Sequence, residues 1–297
     1  MKSPLVTSDW LESHLHDKDI RIIDMRGAVL PPSEPPPHYL TDRAGYDEAH
    51  IPSAAFVDWQ VDIVEPGSAS NDVALAGRFA ALMGGLGIDE DKRVVIYDNA
   101  ASMFACRLRW ALRYYGHEDV AILDGGWQKW RAERRPVSAE LPQFARTVFV
   151  PRVNAELKAT SEDIMTGLDL GACQLIDVRS PAEYAGETSR ARHGGHIPSA
   201  INLPRGALVA EDMTLKPAAE LRQILTERGV ALDADDSVLY CNSGVSATYG
   251  MLAMEMAGAR NLRIYDGSWK EWGNDAASPK ATGAKRGSWE RRRETLK

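Results

Sequence analysis

The chain carries three cysteines: Cys106, Cys173 and Cys241. Only Cys241 stands just past an apolar run, Val238-Leu239-Tyr240, and just before a stretch of small residues, Asn242-Ser243-Gly244-Val245-Ser246-Ala247. A thiol in that place could be a nucleophile, a metal ligand or a small buried residue. The cysteines are far apart, odd in number and without a C-x-x-C pair, which argues against a zinc site, a redox dithiol or a disulfide framework. The apolar run reads as a strand, and the Met-, Leu- and Ala-rich stretch from Ala247 to Ala257, closed by Gly258, reads as a helix. Cys241 would then lie at a helix N-terminus, where the first N–H groups lack backbone partners and the macrodipole is positive. Such a setting favours a reactive thiolate. Gly244 lets the backbone curl, so that the N–H groups of Asn242, Ser243, Gly244, Val245, Ser246 and Ala247 form an anion cradle. Cys173, at the start of a strand, and Cys106, inside a helix, read as packing residues.

The elements that position this loop occur twice. Ile22-Ile23-Asp24-Met25-Arg26 returns as Leu175-Ile176-Asp177-Val178-Arg179, and His50-Ile51-Pro52-Ser53-Ala54 returns as His196-Ile197-Pro198-Ser199-Ala200. Val94-Val95-Ile96-Tyr97-Asp98-Asn99 returns as Ser237-Val238-Leu239-Tyr240-Cys241-Asn242, and Asp124-Gly125-Gly126-Trp127 as Asp266-Gly267-Ser268-Trp269. The offsets are 153, 146, 143 and 142 residues, in one order. This is an internal duplication. It predicts an N-terminal domain over 1–137, a linker over 138–154, a second domain over 155–278 and a basic tail over 279–297. Short β-branched runs alternate with helical stretches in both halves, so each half is expected to be an α/β domain with a parallel sheet flanked by helices. In such sheets ligands bind beyond the carboxyl ends of the strands, where Cys241 is expected. Its counterpart is Asp98, so the fold does not require a thiol there. The second domain is therefore read as catalytic and the first as its non-catalytic copy.

The 297 residues suit two domains. A net charge of −7 argues against sequence-independent nucleic-acid binding. No apolar run is long enough to span a membrane and no signal-peptide pattern opens the chain, so a cytoplasmic location and no membrane partner are expected. The segment from Pro279 to Lys297 holds seven Lys and Arg against two Glu and reads as a solvated terminus.

Together, D-x-R after the first strand, H-I-P-S-A in both halves, one cysteine-headed loop and D-G-S-W-x-x-W after it resemble the tandem-domain rhodanese-type sulfurtransferases, over about 275 residues. The loop CNSGVSA is most similar to that of the 3-mercaptopyruvate sulfurtransferases, with Asn242 in place of a glycine and Ser246 in place of a threonine. Thiosulfate-preferring members tend to carry basic residues in this loop, and here there are none. The resemblance implies a double displacement through a Cys241 persulfide. Sulfur would come from a small donor, 3-mercaptopyruvate or alternatively thiosulfate. It would pass to cyanide or a thiol acceptor such as thioredoxin or a low-molecular-weight thiol. No metal or organic cofactor is implied.

The same resemblance implies substrate-binding roles for Arg107, on a helix of the first domain, and for Arg190 or Arg192. At the position of another arginine of these enzymes stands Glu183, a departure that bears on donor identity. A proton relay of Ser243, His50 and Asp42 is also implied. Against it, the histidine recurs as His196, which suits a residue that orders a turn. Arg26 and Arg179 recur too and read as intradomain ion-pair partners. Tryptophans 127, 130, 269 and 272 read as packing residues. A cysteine phosphatase or arsenate reductase would need an arginine where Ala247 stands. A non-catalytic binding module is the remaining alternative, and Cys241 argues against it.

Overall fold

A computed structural model describes residues 3–35 and 37–288. The chain divides into two compact units. Unit 1 is Met1–Ala155 with Val209–Lys216, and unit 2 is Glu156–Leu208 with Pro217–Lys297.

Unit 1 contains β1 (Leu5–Val6), β2 (Ile20–Asp24), β3 (Gly27–Val29), β4 (Tyr39–Thr41), β5 (Ala54–Phe56), β6 (Arg93–Tyr97) and β7 (Val120–Leu123). Its helices are α1 (Ser8–Ser13), α2 (Arg43–Glu48), α3 (Ala76–Gly85), α4 (Met103–Tyr114) and α5 (Gly126–Ala132). Unit 2 contains β8 (Lys158–Ala159), β9 (Gln174–Asp177), β10 (Ile201–Asn202), β11 (Ser237–Tyr240) and β12 (Leu262–Tyr265). Its helices are α6 (Ser161–Leu170), α7 (Pro181–Ala185), α8 (Ala218–Glu227), α9 (Val245–Ala257) and α10 (Ser268–Trp272).

Each unit has one five-stranded sheet, ordered β1-β7-β6-β2-β5 in unit 1 and β8-β12-β11-β9-β10 in unit 2. All pairings within both sheets are parallel. The two orders are the same once homologous strands are matched, as the duplicated sequence predicts. β3 and β4 add a separate antiparallel ribbon to unit 1.

The central strands are apolar because helices cover both faces. Every residue of β11 is buried, and so is every residue of β7. α9 is buried along most of its length, from Val245 through Met254, with Ser246 as the exception.

The recurring motifs fasten each sheet to its loops in one way. In unit 1 Tyr97 at the end of β6 donates its hydroxyl proton to Asp24 Oδ2 at 2.5 Å and accepts the Ile51 N–H at 3.1 Å. In unit 2 the Ile197 N–H donates to the Tyr240 hydroxyl at 3.0 Å. Arg26 pairs with Asp24 at 2.9 Å and Arg179 with Asp177 at 2.5 Å, both pairs buried. The arginine planes lie over Trp127 at 4.1 Å and Trp269 at 4.5 Å. Trp130, Trp269 and Trp272 are fully buried and Trp127 packs against the core of unit 1.

Segments outside the duplicated motifs are bonded to the two units. Residues 138–154, expected as a linker, lie along unit 1: Ser138 bridges to His50, Thr147 N–H donates to Gly84 O at 3.0 Å, and Arg152 N–H to Tyr115 O at 2.9 Å. The start of the basic tail is solvent-exposed from Thr282 to Ser288, as expected, yet its backbone is tied to unit 2. Ala281 bridges to His196, and the Ser199 N–H donates to Arg286 O at 2.8 Å. The tail beyond Ser288 lies outside the described residues. The excursion Val209–Lys216 groups with unit 1, where Asp212 meets Lys129 at 2.7 Å and Leu215 N–H meets Asp124 at 2.8 Å. Among the described residues no helix is long and apolar enough to cross a membrane.

Candidate active site

Cys241 stands one residue past β11, at the carboxyl edge of the sheet of unit 2, and is 3% exposed. Three residues, Asn242 to Gly244, lead from it into α9. Gly244 caps that helix with a φ of 71°, a left-handed turn that favours glycine. The loop is fastened from below by α10. Trp269 N–H donates to Cys241 O at 2.9 Å and Lys270 N–H to Asn242 O at 2.8 Å. The Cys241 and Gly244 N–H groups both donate to Ser268 Oγ, at 3.2 and 3.0 Å. Gly244, expected among the cradle donors, therefore directs its N–H to a hydroxyl of α10.

The matching loop of unit 1 holds an anion of its own. Asp98 is fully buried. Its Oδ1 accepts the N–H of Ala100 at 2.8 Å and of Ser102 at 2.9 Å, and its Oδ2 accepts those of Phe104 at 2.7 Å and Ala105 at 2.9 Å. Burial pushes the Asp98 carboxyl up, opposed by these four N–H bonds. Ala101 and Ser102 adopt positive φ values of 50° and 60°, a strained path that brings the four N–H groups round one centre. Phe104 and Ala105 are the second and third residues of α4; the second and third of α9 are Ser246 and Ala247. A loop of this type, at this sheet edge and helix N-terminus, is thus built to surround a negative charge.

One further cluster lies beside Cys241. Asn242 Nδ2 donates to Glu183 Oε1 at 2.8 Å, and Arg190 Nε approaches the same oxygen at 3.4 Å. Ser180 Oγ donates to Glu183 Oε2 at 2.9 Å within the capping box of α7. Burial alone would raise the Glu183 carboxyl, but the Asn242 and Ser180 bonds and the Arg179 and Arg190 charges outweigh it and hold it below the usual carboxylate range. The structure thus brings Asn242 and Arg190 together through Glu183. The sequence reading did not make Glu183 a bridge, although Ser180-x-x-Glu183 carries the capping-box signature that fixes its side chain.

The other expected site residues lie in unit 1, except Ser243, which is buried in unit 2. Arg107 is fully buried on α4; its Nη2 donates to Asn71 O at 3.1 Å and its guanidinium lies over Trp110 at 4.7 Å. His50 does not fit a proton relay. Its Nδ1 faces Tyr46 O at 2.8 Å, its Nε2 faces Glu140 O at 3.1 Å, and its ring stacks on Tyr46. His196 repeats the arrangement with Tyr184 O at 2.8 Å and Arg286 O at 3.1 Å. Both histidines brace a turn because both ring nitrogens face backbone carbonyls. Asp42 caps α2 by accepting the Gly45 N–H at 3.1 Å, a helix-capping role.

Cys106 is buried within α4. Burial pushes the Cys173 thiol up to about 11, which keeps it protonated near neutrality. Among the described residues no cluster of three His, Cys, Asp or Glu side chains could hold a metal ion. A surface cavity of unit 1, about 550 Å³, is lined by Trp10, Asp19, Arg93 and Asp119 among others. These residues lie near the amino ends of its strands, opposite the edge that carries Asp98.

Comparison with known proteins agrees with the duplication. The rhodanese-like domain family matches residues 7–133 and again 160–275. The chain is 34% identical over 292 residues to the sulfur carrier protein TtuD of Thermus thermophilus, covering 94% of this chain and 96% of that one. It is 31% identical over 291 residues to a thiosulfate sulfurtransferase of Corynebacterium glutamicum, covering 94% and 90%. Among solved structures, SseA from Escherichia coli, described as a 3-mercaptopyruvate sulfotransferase, aligns with a TM-score of 0.80 and 32% identity. That alignment covers 90% of this chain and 99% of SseA.

Proposed function

The chain belongs to the family of rhodanese-like sulfurtransferases, and from that premise we propose that Cys241 carries the transferred sulfur as a persulfide. The observation that carries this reading is the exchange of Asp98 for Cys241 in a twice-built loop. In unit 1 the centre of the loop is filled by a carboxylate with four N–H donors. In unit 2 the residue at that position is a cysteine, and a persulfide on it would bring a negative outer sulfur to the same kind of centre. Backbone N–H groups fixed before the reaction stabilise such a charge without reorganising.

The chemistry is a double displacement. The Cys241 thiolate attacks the sulfur of the donor. With 3-mercaptopyruvate the carbon–sulfur bond breaks, its electron pair returns to carbon, and a proton there completes pyruvate. Cys241 is left with an S–S bond and an outer sulfane sulfur. A thiolate or cyanide then attacks that outer sulfur, and Cys241 leaves with the S–S electron pair, regenerated. Of the expected cradle from Asn242 to Ala247, Gly244 gives its N–H to Ser268, and the persulfide would draw on the backbone N–H groups of the rest of the loop. A thioredoxin or small-thiol acceptor fits a nucleophile that must reach only the outer sulfur.

For the donor, the loop without basic residues supports 3-mercaptopyruvate. Thiosulfate is the second reading. It is favoured by Glu183, which engages Arg190 at 3.4 Å and so competes with any donor carboxylate for that arginine. The name of the Corynebacterium relative points the same way. Steady-state kinetics with both donors, using dithiothreitol as acceptor, tests the choice. The expected result is kcat/KM for mercaptopyruvate at least about tenfold above that for thiosulfate, a difference of about 1.4 kcal/mol in barrier. The reverse ranking replaces the first donor by the second.

A further inference from the structure

Ser268 opens α10, and the molecule supplies its control. The counterpart in unit 1 is Gly126, which opens α5. Both residues have left-handed backbones, with φ of 52° at Ser268 and 55° at Gly126. Both precede a tryptophan whose N–H holds the carbonyl of the loop's leading residue: Trp127 to Asp98 O at 2.8 Å, Trp269 to Cys241 O at 2.9 Å. The turn is therefore common to both units, and glycine is the residue that suits its φ. In unit 1 a Cβ at Gly126 would stand 2.4 Å from Asp98 O, so a side chain there would force the backbone to shift. Unit 2 nevertheless places a serine in this strained conformation, fully buried.

The hydroxyl accounts for the exception. Ser268 Oγ accepts the N–H of Cys241 at 3.2 Å and of Gly244 at 3.0 Å, and donates its proton to Tyr265 O at 2.8 Å. A hydroxyl offers one donor and two acceptor sites, and all three are used. It clamps both ends of the Cys241–Gly244 loop to the last residue of β12. In unit 1 Asp98 gathers its own loop by accepting the Ala100 and Ser102 N–H groups. A cysteine cannot do this: sulfur is a weak acceptor, and here it must face the incoming donor.

We propose that Ser268 is a positioning residue for sulfur transfer: its hydroxyl replaces the brace that is lost when a carboxylate becomes a thiol. It holds two N–H groups of the loop and so fixes the backbone on either side of the Cys241 side chain. Ser268 transfers no proton to the reacting atoms, because its own proton is committed to Tyr265 O. This inference rests on Cys241 being the sulfur carrier.

The test is Ser268→Gly, which installs the residue of the sister unit. It removes the hydroxyl and also relieves the backbone. The expected result is a thermal midpoint within a few degrees of the parent, with single-turnover persulfide formation slowed about 10- to 100-fold. KM for the donor should change less than about twofold, placing the loss in kcat. Ser268→Ala, which keeps the strain but not the hydroxyl, should lose rate equally and melt lower than the glycine variant. A parental rate in Ser268→Gly overturns the inference, as does loss of the folded state in both variants, which would make the hydroxyl a folding requirement. If the parent protein itself forms no persulfide, the Cys241 reading fails first, and that outcome is read on a different sample.

Discussion

Asp98 and Cys241 each follow the last residue of homologous strands and head the loops into homologous helices, yet one loop is closed and the other is armed. In unit 1 the leading side chain turns inward and satisfies four N–H groups of its own loop. In unit 2 the leading side chain takes no such bonds, and fixation comes from outside the loop: Ser268 beneath it and Glu183 beside it. A catalytic loop cannot use its reactive atom as its own brace. Comparing the copies therefore separates what the fold requires from what the chemistry requires. The ion pairs of Asp24 with Arg26 and of Asp177 with Arg179, the stacked histidines and the buried tryptophans occur in both units and belong to the fold. The thiol, the serine at position 268 and the Glu183–Asn242 bond occur in unit 2, and under the proposed function they serve the chemistry.

Breaking the closed loop should have the larger effect. Asp98→Ala leaves four N–H groups, three of them buried, without their acceptor, which costs about 2–4 kcal/mol. In calorimetry the transition of unit 1 should fall by roughly 5–10 °C. Sulfur transfer per folded molecule should stay within about twofold of the parent. A silent Asp98→Ala would mean that the carboxylate is an incidental occupant of its loop.

Perturbing the armed loop from its side should have a smaller effect. Glu183→Gln keeps an acceptor for Asn242 but removes the negative charge that faces Arg190. KM for mercaptopyruvate should fall roughly three- to tenfold, because a donor carboxylate then no longer competes with Glu183 for that guanidinium. An unchanged or higher KM would detach Arg190 from donor binding. Acid should mimic this variant only below the ordinary glutamate range. Glu183 is held below that range in the folded protein, so its charge and its contribution to stability persist as the pH falls and are lost only at the lowered value.

Much of this was legible in the sequence because duplication gives each motif an internal reference. The central strands lie where the β-branched runs predict them: Ser237–Tyr240 agrees with the structure, and Arg21–Asp24 differs from β2 by one residue. Cys241 was separable from Cys106 and Cys173 by its position after a strand. The two-residue strands β1 and β8 were not legible, since so short a run carries no period and is defined only by its neighbour in the sheet. The packing of 138–154 and of 279–288 rests on bonds to residues far away in the chain. His50 was drawn toward a relay by resemblance, although its recurrence as His196 already marked it as structural. The role of Asp98 as the occupant of a cradle needs backbone angles that the sequence does not print. Ser268 was within reach: Asp124-Gly125-Gly126-Trp127 against Asp266-Gly267-Ser268-Trp269 shows the substitution, but only its positive φ shows that a serine there needs a reason.

Under the proposed function, Cys241 holds the sulfur in transit. The most direct measurement is the intact mass of the reduced, folded protein after brief exposure to 3-mercaptopyruvate and, separately, to thiosulfate. The expected result is a gain of one sulfur atom with at least one donor, reversed by dithiothreitol or cyanide and absent in Cys241→Ser. No gain with either donor, or the same gain in Cys241→Ser, would contradict it.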